Sequence, residues 1–170
     1  MKSRGNNYAF IDSQNLNLGV KSQGWVLDFA RFRIFLKDKY NVEKAFLCIG
    51  FVNNNQLLYT FLQKAGYICV FKPTLEIKYN GKIKIKGNVD AEMVLYSMIE
   101  WEKYDKAIIV SGDGDFHCLI KHLATHDKLR KVIVPNRRYS SLLREFGKNI
   151  VNIQIFKEKL ILKNRPKAGG

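Results

Sequence analysis

Short apolar runs alternate along the chain with longer stretches whose apolar residues recur at helical spacing. Tyr8–Asp12 is a compact apolar run closed by a carboxylate, and it reads as a buried first strand. Trp25–Lys39 places Phe29, Phe32, Phe35 and Leu36 three and four residues apart, the spacing of one helix face. Lys44–Phe51 predicts a second strand, Gln56–Ala65 a helix stopped by Gly66, and Tyr67–Phe71 a third strand. Asn88–Trp101 reads as a helix with Asn88 as N-cap, Ala107–Ser111 as a strand, and Phe116–Thr125 as a helix. Lys131–Pro135 is a further strand, Tyr139–Phe146 a short helix ended by Gly147, and Ile150–Ile155 an edge strand. This order predicts an α/β three-layer sandwich around a central, mainly parallel sheet. Residues 1–156 would form that one domain and 157–170 a basic C-terminal tail.

The stretch Thr74–Lys86 breaks the pattern. Glu76-Ile77-Lys78-Tyr79 and Lys82-Ile83-Lys84-Ile85 alternate polar and apolar residues around Asn80-Gly81, a strong hairpin turn signal. A small exposed hairpin is therefore expected, with Lys78, Lys82, Lys84 and Lys86 projecting from one face.

Composition narrows the partners. The 46% hydrophobic fraction is enough for a packed core and excludes a disordered chain. Lys plus Arg number 29 against 15 Asp plus Glu, so the net charge is +14, which predicts attraction to nucleic acid or an anionic membrane surface. Basic residues gather at Lys72–Lys86, Arg130-Lys131, Arg137-Arg138, Arg144, Lys148 and the tail. Three cysteines, Cys48, Cys69 and Cys118, without CxxC spacing, argue against a disulfide framework or a zinc site, and each is expected as a buried free thiol. His117, His122 and His126 lack an HExxH pattern and read as surface histidines. No apolar run is long enough to span a bilayer, and the N-terminus leads into a strand, so the chain is expected to be cytoplasmic.

Against this basic body stand four aspartates in informative places. Asp12 ends the first strand, Asp113 and Asp115 follow the strand at Ala107–Ser111, and Asp90 opens a helix. Ligands of open α/β sheets bind at the carboxyl ends of the strands. Carboxylates gathered there repel one another unless a cation neutralises them. Each residue also has a plain structural role: Asp12 and Asn15 in a turn, Asp115 as an N-cap, Asp90 on the helix dipole. Capping and ion binding are compatible. Gly112 and Gly114 flank Asp113, which predicts a tight bend bringing both carboxylates to one ion. Lys86 stands close enough before Asp90 to orient a phosphate or a water.

The motifs Ile11-Asp12-Ser13-Gln14-Asn15, Lys86-Gly87-Asn88-Val89-Asp90 and Ser111-Gly112-Asp113-Gly114-Asp115-Phe116, in this order, resemble the NYN domain family, and most closely its LabA-like branch. The resemblance runs from Tyr8 to about Ile155. It implies a PIN-like, Rossmannoid fold with the hairpin as an insertion. It implies a Mg2+ or Mn2+ site for RNA cleavage at Asp12, Asp90, Asp113 and Asp115, with Asn15, Lys86 and Ser111 at positions matching the family motifs. The lysine-to-aspartate spacing is one residue longer than the family's common form, and Ser13-Gln14 replaces a glycine-containing pair.

The resulting expectation is a metal-dependent nuclease acting on RNA as an endoribonuclease. Substrate contacts fall to Asn15, Lys86, Ser111, Lys78, Lys82, Lys84, Arg137 and Arg138. The expected partner is RNA, single-stranded or structured, with no membrane and with a homodimer left open. Two rivals are a noncatalytic RNA-binding module of the same fold and a phosphotransfer domain. The first is disfavoured because pure binding of a polyanion gains nothing from four gathered acids. The second needs paired acids after the first strand, where this chain has Asp12 alone.

Overall fold

The structure, a computed structural model, describes residues 5–86 and 90–163, the side chains of 84–86 excepted. β1 (Asn7–Asp12) is buried along its whole length, as a strand covered on both faces must be. The Asp12 side chain accepts the Asn15 N–H, and this cap starts α1 (Ser13–Lys21). α2 (Phe29–Tyr40) is capped by Asp28 and ends on Asn41 in the left-handed region, at φ 52°. There follow β2 (Val42–Phe51), α3 (Gln56–Lys64), β3 (Tyr67–Pro73), the ribbon strands β4 (Leu75–Tyr79) and β5 (Lys82–Lys86), and α4 (Asp90–Ile99). The second half holds β6 (Lys106–Val110), α5 (His117–Thr125), β7 (Leu129–Val134), β8 (Ile150–Asn152) and α6 (Lys157–Leu160).

The six-stranded sheet has the order β3-β2-β1-β6-β7-β8, and every pairing in it is parallel. Strand order runs outward from β1 in one direction and restarts from β6 in the other. The topological switch point therefore falls between β1 and β6, where the connections leave a crevice at the carboxyl ends. Side chains alternate across β1. Tyr8 and Phe10 join a core with Met93 of α4 and Leu119, Ile120 and Leu123 of α5. Ala9 and Ile11 join a second core with Leu16 of α1, Phe32 and Leu36 of α2, and Leu160 of α6. Two cores on opposite faces make the three layers. No helix among the described residues is long and apolar enough to cross a membrane.

Several expectations are corrected. The segment of Asp12 and Asn15, whose plain structural role is in a turn, opens a helix, α1, where no helix was expected. The expected short helix Tyr139–Phe146 is 3-10 rather than α: Ser141–Asn149 forms two 3-10 turns broken by a kink at Phe146, next to Gly147. β8 stops at Asn152 and gives way to a 3-10 turn over Ile153–Phe156. The first part of the expected tail packs on the fold, with Leu160 buried, Leu160 O accepting the Asp28 N–H at 2.8 Å, and Ile161 bridged to Leu27. Cys48 is buried, but Cys69 is only half-buried and Cys118 is exposed. Asn88 as an N-cap lies outside the described residues.

The ribbon forms on the predicted turn, with Asn80 at φ 51° and Gly81 at φ 72°. Its register corrects the expected lysine face. Tyr79 pairs with Lys82, Ile77 with Lys84 and Leu75 with Lys86, whereas Lys78 pairs with Ile83. Opposed residues of an antiparallel pair share a face, so Lys78 stands on the opposite face from Lys82.

Candidate metal centre

The parallel sheet delivers two chain ends to one point. β1 finishes at Asp12, and its neighbour β6 runs into Ser111-Gly112-Asp113. Asp90, the first residue of α4, closes the group from one face. One carboxylate oxygen from each of Asp12, Asp90 and Asp113 lies within 4.8 Å of the others. Asp115 is not part of this group. It is exposed, and its N–H donates to Asp113 Oδ1 at 2.9 Å, which holds the Asp113 carboxylate in place.

Hydrogen bonds tie the two strand ends together. Asn15 N donates to Asp12 Oδ1 at 3.2 Å, and Ser111 Oγ donates to Asp12 Oδ2 at 3.5 Å. Ser111 Oγ in turn accepts the Asp113 N–H at 3.1 Å, and Asn15 Oδ1 accepts the Gly112 N–H at 2.8 Å. Ser111 is 1% exposed, so its hydroxyl organises the carboxylates from beneath. The flanking glycines are needed for space. Neither has a positive φ, but a Cβ on Gly112 would sit 3.1 Å from the Tyr139 Cβ, and one on Gly114 would collide with Ser140.

Electrostatics follow from this packing. Burial pushes the Asp12 carboxyl up from 3.8 to about 6. The Asn15 N–H and the Ser111 hydroxyl oppose the rise, while the charges of Asp90 and Asp113 add to it. Beneath the site Cys48, in register with Asp12, is held as a neutral thiol: burial first, then Asp12 and Glu92, push it up to about 12.

Glu92 is the acidic neighbour that sequence reasoning missed. Its Oε2 is buried without a hydrogen bond and lies 3.6 Å from Lys72 Nζ. Two residues apart on a helix point to nearly opposite sides, so its spacing from Asp90 carried no signal of a shared site.

The remaining predicted residues spread along the carboxyl edge. The ribbon with Lys78, Lys82, Lys84 and Lys86 leaves from the end of β3. Arg137 and Arg138 follow β7 and, with Asn136 and Gln154, line a cavity of about 250 Å3. Their guanidinium groups make no ion pair among the described residues. A wider cavity of about 660 Å3 lies at the amino edge between Asn7, Tyr40 and Lys106, and none of the clustered carboxylates lines it. His122 and His126 lie with ring centroids 4.2 Å apart and planes tilted by 48°, beside Trp101, and neither belongs to the acidic group.

A family profile described as NYN domain matches residues 8–153. No curated protein matches the sequence. Among solved structures, the fold resembles a protein of unknown function from Vibrio parahaemolyticus RIMD 2210633, with a TM-score of 0.75 at 22% identity, covering 95% of this chain and 99% of that one.

Proposed function

The chain belongs to the NYN domain family, and we propose that it is a metal-dependent ribonuclease hydrolysing RNA phosphodiester bonds at the Asp12–Asp90–Asp113 cluster. The family lies within the PIN-like nuclease superfamily, which makes nuclease chemistry the first expectation. One observation carries the reading: three carboxylate oxygens within 4.8 Å of one another at the sheet's switch point. Anionic oxygens held so close call for a cation. An all-oxygen donor set suits a hard divalent ion such as Mg2+ or Mn2+.

Asp12, Asp90 and Asp113 would hold the ion, with Asp115 on the exposed rim of the same loop. When bound, the ion supplies a more acidic water and neutralises charge on the scissile phosphate and leaving oxygen. The chain does the rest. Asn15 fixes the Gly112 loop through Oδ1, which leaves Nδ2 as a donor for a phosphate oxygen. Ser111 holds the Asp12 carboxylate and the Asp113 backbone in register. Lys86 contributes a cation at the foot of the ribbon, Lys82 and Lys84 share its register face, Lys78 adds a cation on the other face, and Arg137 and Arg138 offer phosphate contacts on the far side. A strand of RNA laid across the carboxyl edge meets cations at both ends and the carboxylates between them, which favours cleavage within the strand.

The test is cleavage of an end-labelled RNA by the wild-type protein with Mg2+ or Mn2+, with a chelator in parallel. The expected result is internal fragments that the chelator suppresses, and a loss of roughly a hundredfold or more in Asp113→Asn. Binding of RNA without cleavage in either metal would contradict the reading and favour a noncatalytic module.

A further inference from the structure

The β4–β5 ribbon has two unlike faces. Its register sets Leu75, Ile77 and Tyr79 of β4 opposite residues 86, 84 and 82 of β5, all lysines. The opposite face pairs Glu76 with Ile85 and Lys78 with Ile83. By backbone register the first face thus sets an apolar rail on β4 against a rail of three lysine positions on β5, on strands about 4.8 Å apart. The second face carries one acid and one base, which cancel, beside Ile83, itself 61% exposed, so it offers apolar surface without a row of lysine positions.

The apolar rail is open to solvent, with Leu75 and Tyr79 each 71% exposed and Ile77 40%. Tyr79 makes no ring contact with another aromatic residue among the described residues. A lone two-stranded ribbon is marginal in water, and a contiguous apolar row left exposed marks a place where something binds. The ribbon also lies beside the acidic centre. Lys86 and Asp90 are four residues apart, which limits their Cα separation to about 14 Å.

We propose that this face is a platform for a single-stranded segment of RNA. Bases stack or pack on Leu75, Ile77 and Tyr79, and phosphates follow the lysine rail toward the carboxylates. Sequence-tolerant single-strand sites elsewhere are built from the same two parts, a stacking surface and a cationic track. Duplex RNA hides its bases in the helix and would leave the apolar rail idle. Two copies of this face would set lysine rails against each other on bodies that each carry +14, so charge opposes self-association. The proposal rests on the ribonuclease reading and assigns the surface that presents the strand.

Binding is measured in an Asp113→Asn background, with a labelled oligouridylate and an RNA duplex of equal length as probes. Tyr79→Ala should weaken oligouridylate binding roughly tenfold and leave the duplex within about twofold. Lys82→Glu should weaken both probes and flatten the salt dependence, whereas Lys78→Glu, the same charge change on the other face, should have a clearly smaller effect. Unchanged oligouridylate affinity in Tyr79→Ala, or equal effects at Lys78 and Lys82, would overturn the proposal. So would a wild-type dimer, seen by sedimentation velocity, that Tyr79→Ala dissociates, because the face would then join copies of the chain. If Tyr79→Ala in the otherwise wild-type chain cleaves RNA with unchanged KM, the platform fails while the ribonuclease reading stands. If the wild type neither binds nor cleaves RNA, the ribonuclease reading itself fails.

Discussion

Asp12 sets the pH behaviour of the metal-free protein. Its folded pKa of about 6 stands above the ordinary 3.8, so the native state holds this proton more tightly than the unfolded chain does. The stabilising contribution is complete below about pH 4 and is lost as pH rises through about 6, an effect of roughly 3 kcal/mol in full. With chelator present, wild type should therefore lose urea resistance relative to Asp12→Asn between about pH 4 and pH 7. Parallel profiles for the two proteins would show that the buried carboxyl carries no such penalty. A divalent ion competes with the same proton, so ion affinity should fall as pH drops below about 6. At this scale the sequence was informative about which acids converge, because Asp12 and Asp113 end apolar runs and Asp90 opens a helix. It did not separate Asp113 from Asp115. Both flank Gly114, and only the turn itself, with the Asp115 N–H bonded to Asp113 Oδ1, shows which carboxylate meets the other two.

Among the elements, the strands and the Asn80-Gly81 ribbon were legible because buried runs and left-handed turn residues are local signals. α1 was not. Its sequence is rich in Ser, Gln and Asn, and only Ser13, Leu16 and Val20 are buried, so packing against the sheet rather than propensity makes it a helix. α6 escaped notice because a single apolar residue, Leu160, docks it. The ribbon's lysine face was misjudged because alternation along each strand is local while register across strands is not: the two-residue turn sets Tyr79 against Lys82 and puts Lys78 on the other side. The ribbon's independence can be tested. Its paired ends, Leu75 and Lys86, face each other at about 5.5 Å or less between Cα atoms, so a short Gly-Ser linker bridges them. Replacing 76–85 in this way should leave the melting temperature within about 2 °C, because the ribbon's described residues contribute nothing to either core. The same change should cost RNA affinity. A large fall in melting temperature would make the ribbon a structural element instead.

For the molecule as a whole, the charge of +14 surrounds an acidic centre, and the two should respond differently to salt. RNA affinity should fall steeply, with a log–log slope of about 0.7 for each phosphate neutralised on a single strand. Ion affinity at the half-buried carboxylates should fall less, because partly buried pairs are less screened. Equal salt sensitivity of the two would mean that the acidic centre is as open to solvent as the basic surface. The six-strand order, with its switch point between β1 and β6, explains why the carboxylates gather where they do. It also accounts for the basic ribbon and the arginine loop flanking them at the same edge. The most direct test of this arrangement is calorimetric titration of Mn2+ into metal-free protein near neutral pH, beside an Asp12→Asn/Asp113→Asn double variant that retains the wild-type circular dichroism. Saturable binding to the wild type, lost in the variant, is the predicted result. Equal binding to both, or none to the wild type, would contradict a metal centre at Asp12, Asp90 and Asp113.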